Sequence, residues 1–62
     1  MPLSTLRLFR LVKGLTIYDL SRLTGIYPAR LSYLERGVER LRGDEIEKLS
    51  EVLGFKLQEE ED

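Results

Sequence analysis

Residues 14–37 read GLTIYDLSRLTGIYPARLSYLERG, and the spacing of capping, apolar and turn residues in this stretch decides the fold. Thr16 is followed three residues later by Asp19, a capping-box pattern in which hydroxyl and carboxylate accept the first N–H groups of a helix. Leu20 and Leu23 give that helix an apolar side, and both are expected to be buried. The first half of the stretch therefore predicts a helix that ends at the next glycine.

A second helix is predicted after a link of three residues. Gly25 can adopt the left-handed backbone conformation that ends a helix, and Ile26 is expected to pack beneath the link. Pro28 is best tolerated in the first turn of a helix and Gly37 ends the run, so a helix is predicted over residues 28–36. Two helices joined by so short a link form a helix-turn-helix unit rather than an antiparallel hairpin.

Two further helices are predicted to flank this unit. Apolar residues recur there at helical spacing: Leu3, Leu6, Phe9, Ile46, Leu49 and Leu53. Pro2 suits the start of the first helix, and Asp44 suits the start of the last. The sequence therefore predicts an all-α domain over residues 1–54, a compact bundle of four to five helices. Residues 55–62 are expected to be a short C-terminal segment with an acidic tail, either disordered or a dimer strand.

The composition narrows the functional classes. A chain of 62 residues is near the lower limit for a domain with a single core. It has no Cys and no His, so no metal, cofactor or redox site is expected, and its serines lack a histidine base for catalysis. Basic residues interrupt the apolar start, so neither a signal peptide nor a membrane span is expected and a cytoplasmic location is the default. We therefore do not expect an enzyme.

The charge is distributed unevenly along the chain. Residues 1–43 hold eight Lys and Arg against three acidic residues, a balance of +5. Residues 44–62 hold two Lys against eight acidic residues, a balance of −6. The basic part favours a polyanion as partner, although an ordinary solvated surface gives the same count.

The motifs taken together resemble the Cro/Xre class of lambda-repressor-like helix-turn-helix proteins over about residues 3–54. The spacing of these pieces carries the resemblance: Leu6-x-x-Phe9-Arg10, Gly14-Leu15-Thr16, Asp19-Leu20, Gly25-Ile26, Leu31-x-x-Leu34-Glu35-x-Gly37 and Leu49-x-x-x-Leu53-Gly54. It implies that double-stranded DNA is the partner and that the third helix enters the major groove. It also implies a structural ion pair between Arg10 and Glu35, because the family pairs an arginine and a glutamate at these places.

The resemblance assigns the outer face of the third helix to base readout, by Tyr27, Pro28, Ala29, Arg30, Ser32 and Tyr33. Arg30 can pair bidentately with guanine or reach a phosphate, and no folding role is expected for it. Phosphate contacts are expected from Thr16, Ile17, Tyr18, Arg36, Arg40 and Arg42. Ile17 stands where the family often has glutamine, so only backbone N–H groups remain there. Alternatively, Tyr27 is a hydrophobic-staple residue, Tyr18 is merely exposed, and the last three arginines are solubilising charges.

The first predicted helix carries more apolar surface than one core stripe needs. Leu8, Leu11 and Val12 lie roughly opposite the inward face, and either pack under the last helix or the C-terminus, or form a partner surface, most simply with a second copy. Phe55 and Leu57 would suit a short strand that pairs with its symmetry mate. We therefore expect a dimeric, sequence-specific DNA-binding transcriptional regulator. The alternative is a helical protein-interaction module, or an antitoxin-like subunit, that keeps the fold without reading DNA.

Overall fold

The computed structural model describes residues 4–54, which form four helices and no strand. In chain order the helices are α1 (Thr5–Val12), α2 (Ile17–Thr24), α3 (Pro28–Glu35) and α4 (Gly43–Leu53). Helices of eight to eleven residues are too short to be stable alone in water, so packing against one another holds them. The all-α architecture and the helix-turn-helix unit predicted from the sequence are confirmed.

One leucine core joins the four helices. Its buried apolar side chains are Leu6, Leu20, Leu31, Leu34, Leu49 and Leu53. Half-buried residues such as Phe9, Ile26 and Leu41 pack around them, so the link before α3 and the loop after it are both anchored to the core. Helix α2 packs against α3 and α4, and α1 packs against α3. This arrangement buries one side of α3 and turns the other outward.

Local hydrogen bonds fix both ends of α2. The Thr16 hydroxyl accepts from the Asp19 N–H at 3.0 Å, and the Asp19 carboxylate accepts from the Thr16 N–H at 2.9 Å. Gly25 ends the helix with a φ of 78°, and its N–H donates to the Ser21 carbonyl at 2.8 Å. The three residues of the link then lead directly into α3.

Two burial predictions for this unit are wrong. Leu23 is 59% exposed, and Thr24 takes the buried position at the end of α2. Thr24 can be buried because its hydroxyl donates to the Leu20 carbonyl at 2.7 Å and accepts from the Ile26 N–H at 3.2 Å. Tyr27 is not a staple, since it is the N-cap residue of α3 and 81% exposed. The half-buried residue before it, Ile26, packs against the core instead.

Helix α1 begins at Thr5, later than predicted. The Ser4 side chain caps it by accepting a hydrogen bond from the Arg7 N–H at 3.1 Å. The expected C-terminal strand and acidic tail lie outside the described residues, as do Pro2, Leu3, Phe55 and Leu57. Within residues 4–54, no helix has the length and apolar character needed to cross a membrane.

Candidate nucleic-acid interface

The outward side of α3 is a small polar and aromatic surface. Leu31 and Leu34 are buried in the core, whereas Ala29 and Tyr33 are exposed and Ser32 is partly exposed. Residues three and four apart lie on one face of a helix, so Ala29, Ser32 and Tyr33 form a continuous outward face. Three of the side chains expected to read bases therefore lie together and are accessible.

The link and the first turn of α3 form one edge of this surface. The Tyr27 side chain makes no capping hydrogen bond, and Pro28 occupies the first turn as predicted. An open cavity of about 290 Å³ separates this edge from the start of α4, and its lining includes Tyr27, Arg30 and Arg42. Tyr27 and Pro28 are thus placed beside the outward face, and Tyr27 also lines the open cavity.

Arg30 differs from the other candidates because each nitrogen of its guanidinium group already donates a hydrogen bond. Its Nε and Nη2 atoms donate to the two carboxylate oxygens of Glu45 at 2.8 and 2.9 Å. Nη2 also donates to the Arg40 carbonyl at 2.9 Å, and Nη1 donates to Glu39. The hydrogen bonds with Glu45 raise the pKa of Arg30 above its ordinary value. The expectation that folding makes no use of Arg30 is therefore wrong.

Glu45 is the residue that the sequence reasoning missed. Only 8% of its side chain is exposed, and its Oε1 atom also accepts from the Arg42 N–H at 2.8 Å. The hydrogen bonds from Arg30 hold the pKa of Glu45 below its ordinary value. A glutamate at the third position of a helix signals a cap, but its contact with Arg30, fifteen positions away, depends on how α3 and α4 pack.

A second ion pair holds the other end of α3. Arg10 of α1 donates from Nε and Nη2 to the Glu35 carboxylate at 2.6 and 3.0 Å, and from Nη1 to the Leu15 carbonyl at 2.9 Å. The two side chains are 10% and 5% exposed. The hydrogen bond to Glu35 raises the pKa of Arg10. This is the contact that the family resemblance implied.

The start of α2 is the first of two places where phosphate contacts were expected. The capping box uses both the hydroxyl and the N–H of Thr16. The N–H groups of Ile17 and Tyr18, at the first two helical positions, have no partner within the helix. The hydrogen bond from the Thr16 N–H lowers the pKa of Asp19, so a negative charge persists beside the two N–H groups. A phosphate at this position would accept hydrogen bonds from two N–H groups, but the nearby Asp19 carboxylate would repel it.

The loop after α3 is the second place, and it carries three exposed arginines, Arg36, Arg40 and Arg42. The Arg36 guanidinium lies 5.7 Å from the centre of the Tyr33 ring, within cation–π range. The Arg40 carbonyl is bonded to Arg30, which ties the loop backbone to α3. The contact with Tyr33 therefore places the Arg36 cation beside the outward face of α3.

An outward helix face that follows a three-residue link, with Arg36 beside it, is typical of a helix-turn-helix DNA-binding domain. The family model of the Cro/C1-type HTH DNA-binding domain matches residues 5–59, and the chain belongs to this family. The resemblance noted in the sequence is thereby confirmed. No curated protein and no solved structure matches the chain.

Proposed function

We propose that this protein is a sequence-specific transcriptional regulator that reads the major groove of DNA with α3. The observation that carries the proposal is the exposed face of Ala29, Ser32 and Tyr33, directly after the turn, in a member of a DNA-binding family. Ser32 and Tyr33 can each donate or accept a hydrogen bond at a base edge, and Ala29 offers apolar surface to a thymine methyl group. Tyr27 and Pro28 flank this face. Such a regulator acts by binding rather than catalysis, in the cytoplasm expected from the sequence.

Contacts to the DNA backbone would come from both sides of α3. The exposed residues Arg36, Arg40 and Arg42 follow α3 in the chain, and the N–H groups of Ile17 and Tyr18 lie at the start of α2. Phosphate contacts of this kind fix the register of a protein on the duplex, and base contacts supply its sequence preference.

Fluorescence anisotropy with labelled duplexes tests DNA binding. If a dimer contacts about six phosphates, log affinity should fall against log salt with a slope of about −5. Arg40→Ala should weaken binding to every sequence alike and flatten the slope, whereas Ser32→Ala should relax discrimination at one base position by about 1 kcal/mol. If the folded protein binds neither random duplex nor the DNA upstream of its own gene at about 50 mM salt, the proposal fails.

The regulator is further proposed to be a homodimer. Leu8, Leu11 and Val12 share one face of α1 and are 46%, 47% and 66% exposed, so the described part of the chain leaves them uncovered. A second copy that covers this stripe would present two copies of α3 to half-sites about 34 Å apart. Sedimentation equilibrium should find that Leu11→Glu is a monomer.

The matched control for the dimer is Leu23→Glu, because Leu23 is exposed to a similar degree on a different helix, α2. It should leave the dimer intact. If both variants sediment like the parent, α1 is not the dimer surface. If the parent itself is a monomer at the concentrations at which it binds DNA, the homodimer proposal fails.

The second candidate function is a protein-interaction module or antitoxin-like subunit that does not read DNA. It is favoured by Asp19 at the start of α2 and Glu39 in the loop, two carboxylates that lower the positive potential around the outward face of α3. The same salt titration separates the two candidates, since only the regulator binds duplex DNA with a preference among sequences.

A further inference from the structure

We propose that Arg30 is a positioning residue of the DNA interface: Glu45 holds it, and it sets where α3 and the following loop lie relative to α4 without reading a base itself. The inference rests on the proposed function. It deepens that function by dividing the outward residues of α3 into those that contact bases and one that places them.

Most hydrogen-bond donors of the Arg30 side chain are already occupied. Each of its three guanidinium nitrogens already donates to an acceptor: two reach Glu45, one of these also reaches the Arg40 carbonyl, and the third reaches Glu39. The side chain is only 19% exposed. Arg30 therefore lacks a free pair of donors with which to meet the edge of a guanine.

Arg30 would lose binding energy by exchanging Glu45 for a guanine. A guanine edge offers two neutral acceptors, whereas Glu45 offers an ionised carboxylate, and hydrogen bonds to ionised groups are roughly twice as strong. Departure of Arg30 would also leave Glu45, 8% exposed, as a mostly buried charge without its partner. Arg30 is therefore expected to stay with Glu45 when the protein is bound to DNA.

The Arg30 side chain connects α3 both to α4 and to the loop between them. Arg30 lies in the first turn of α3, and its partners are Glu45 near the start of α4 and two residues of the loop, Glu39 and Arg40. Glu45 in turn accepts from the Arg42 N–H at 2.8 Å, which extends the network to the end of the loop. The network thereby ties the first turn of α3 to the backbone of the loop at Arg40 and Arg42, two of the arginines proposed to contact phosphate.

The test compares Glu45→Gln with Arg30→Ala on a duplex selected from a random pool, at a temperature at which each variant is folded by circular dichroism. The glutamine can still accept from the Arg42 N–H, but it removes the charge that holds Arg30. We expect both variants to bind the selected duplex about tenfold more weakly and to discriminate less between it and single-base variants. The double variant should be no weaker than either single variant, because both changes remove the same contact.

Two control variants carry matched charge changes. Glu47→Gln removes one negative charge from an exposed position on α4, and Arg7→Ala removes one positive charge from an exposed position on α1. Glu47→Gln should bind as the parent does or slightly more tightly, so weaker binding by Glu45→Gln cannot come from charge alone.

Arg30→Lys is the second variant at the arginine; it keeps the charge without the two-point geometry and should recover part of the affinity.

Two outcomes would overturn the inference while leaving DNA binding in place. If Arg30 reads a base, Glu45→Gln should free it and bind as tightly as Glu47→Gln, while Arg30→Ala loses preference at one base pair. If Arg30 only stabilises the fold, the folded variants should bind and discriminate like the parent despite lower melting temperatures. A parent that binds no duplex would instead overturn the proposed function, and this inference with it.

Discussion

The two ends of α3 are held by ion pairs of the same geometry in different surroundings. The inner ion pair, Arg10 with Glu35, joins the end of α3 to α1, and its side chains are 10% and 5% exposed. The outer ion pair, Arg30 with Glu45, joins the first turn of α3 to α4, with side chains 19% and 8% exposed. In both, Nε and Nη2 of the arginine meet the two oxygens of one carboxylate. Only the outer pair continues to a half-exposed residue, Glu39.

Burial and position decide what each pair contributes. When one partner of a buried pair is removed, the other remains as an uncompensated charge, which strongly destabilises the fold. In the outer pair, Arg30 is more exposed than Arg10 and has Glu39 and the Arg40 carbonyl as further acceptors, so loss of that pair should disturb folding less. The inner pair therefore contributes most to the stability of the domain. The outer pair lies beside the proposed DNA face and mainly determines how α3 is oriented toward DNA.

The largest effect should come from breaking the inner ion pair with Glu35→Gln. We expect the free energy of unfolding to fall by about 3 kcal/mol, because the buried Arg10 loses its countercharge. In a domain of this size that corresponds to a drop in melting temperature of more than about 10 °C. Circular dichroism during thermal and urea unfolding measures both quantities.

The control for this prediction is Glu51→Gln, the same change at an exposed position of α4. It should unfold like the parent. The double variant Arg10→Met, Glu35→Leu should regain much of the lost stability, since apolar residues of similar volume can replace a buried pair. If Glu35→Gln and the parent had the same melting temperature, the inner pair would not stabilise the fold.

The contrast between the two pairs also shows what the sequence could and could not predict. The helix boundaries around the turn follow from local signals, namely the Thr16–Asp19 capping box and Gly25. The inner pair followed from the family resemblance. The outer pair has no local signal, because Arg30 and Glu45 meet only after α3 and α4 have packed together. Without that packing, Arg30 looked like a free side chain on an outward helix face.

Leu23 shows the same limit at a single position. Helical spacing from Leu20 allows burial either three or four residues later, and hydrophobicity favoured Leu23 over Thr24. The fold buries Thr24 because its hydroxyl finds both a carbonyl acceptor and the N–H of Ile26 within reach. These two hydrogen bonds depend on the geometry of the turn, which cannot be predicted from a pattern of apolar residues.

A smaller effect on stability is expected from breaking the outer ion pair with Glu45→Gln. The glutamine keeps an acceptor for the Arg42 N–H, and Arg30 keeps Glu39 and the Arg40 carbonyl, so fewer groups lose their partners than in Glu35→Gln. The melting temperature should therefore lie between those of the parent and Glu35→Gln. If Glu45→Gln melted as low as Glu35→Gln, the difference in burial between the two pairs would not govern their contributions.

Lowering the pH should reveal part of the contribution of Glu45 to stability without any substitution at that position. Because Arg30 lowers its folded pKa, Glu45 stabilises the fold fully above its ordinary pKa of 4.5. That stabilisation is lost as pH falls through the lower folded value. Asp19, whose pKa is lowered by the Thr16 hydrogen bonds, acts in the same direction below its ordinary 3.8. Melting temperatures measured between about pH 7 and 2.5 should be flat at first and then fall.

The matched comparison for the acid experiment is Glu45→Gln, which cannot titrate at that position. Its melting temperature should fall less steeply below pH 4.5 than that of the parent, so that the two curves approach each other in acid. If the two melting curves ran parallel over the whole pH range, ionisation of Glu45 would add nothing to the stability of the fold. That result would contradict the two hydrogen bonds between Arg30 and the Glu45 carboxylate.

The smallest effect is expected at the exposed end of the network, from Glu39→Gln. Half of the Glu39 side chain is exposed and it meets only one nitrogen of Arg30, so water can replace most of what it offers. The melting temperature should change by less than about 2 °C, as for a control change at Glu51. The same substitution made in the Glu45→Gln background should matter more, because Glu39 is then the one carboxylate that the described network leaves to Arg30. Additive effects of the two changes would show instead that Glu39 and Glu45 act on Arg30 independently, and that the outer ion pair ends at Glu45.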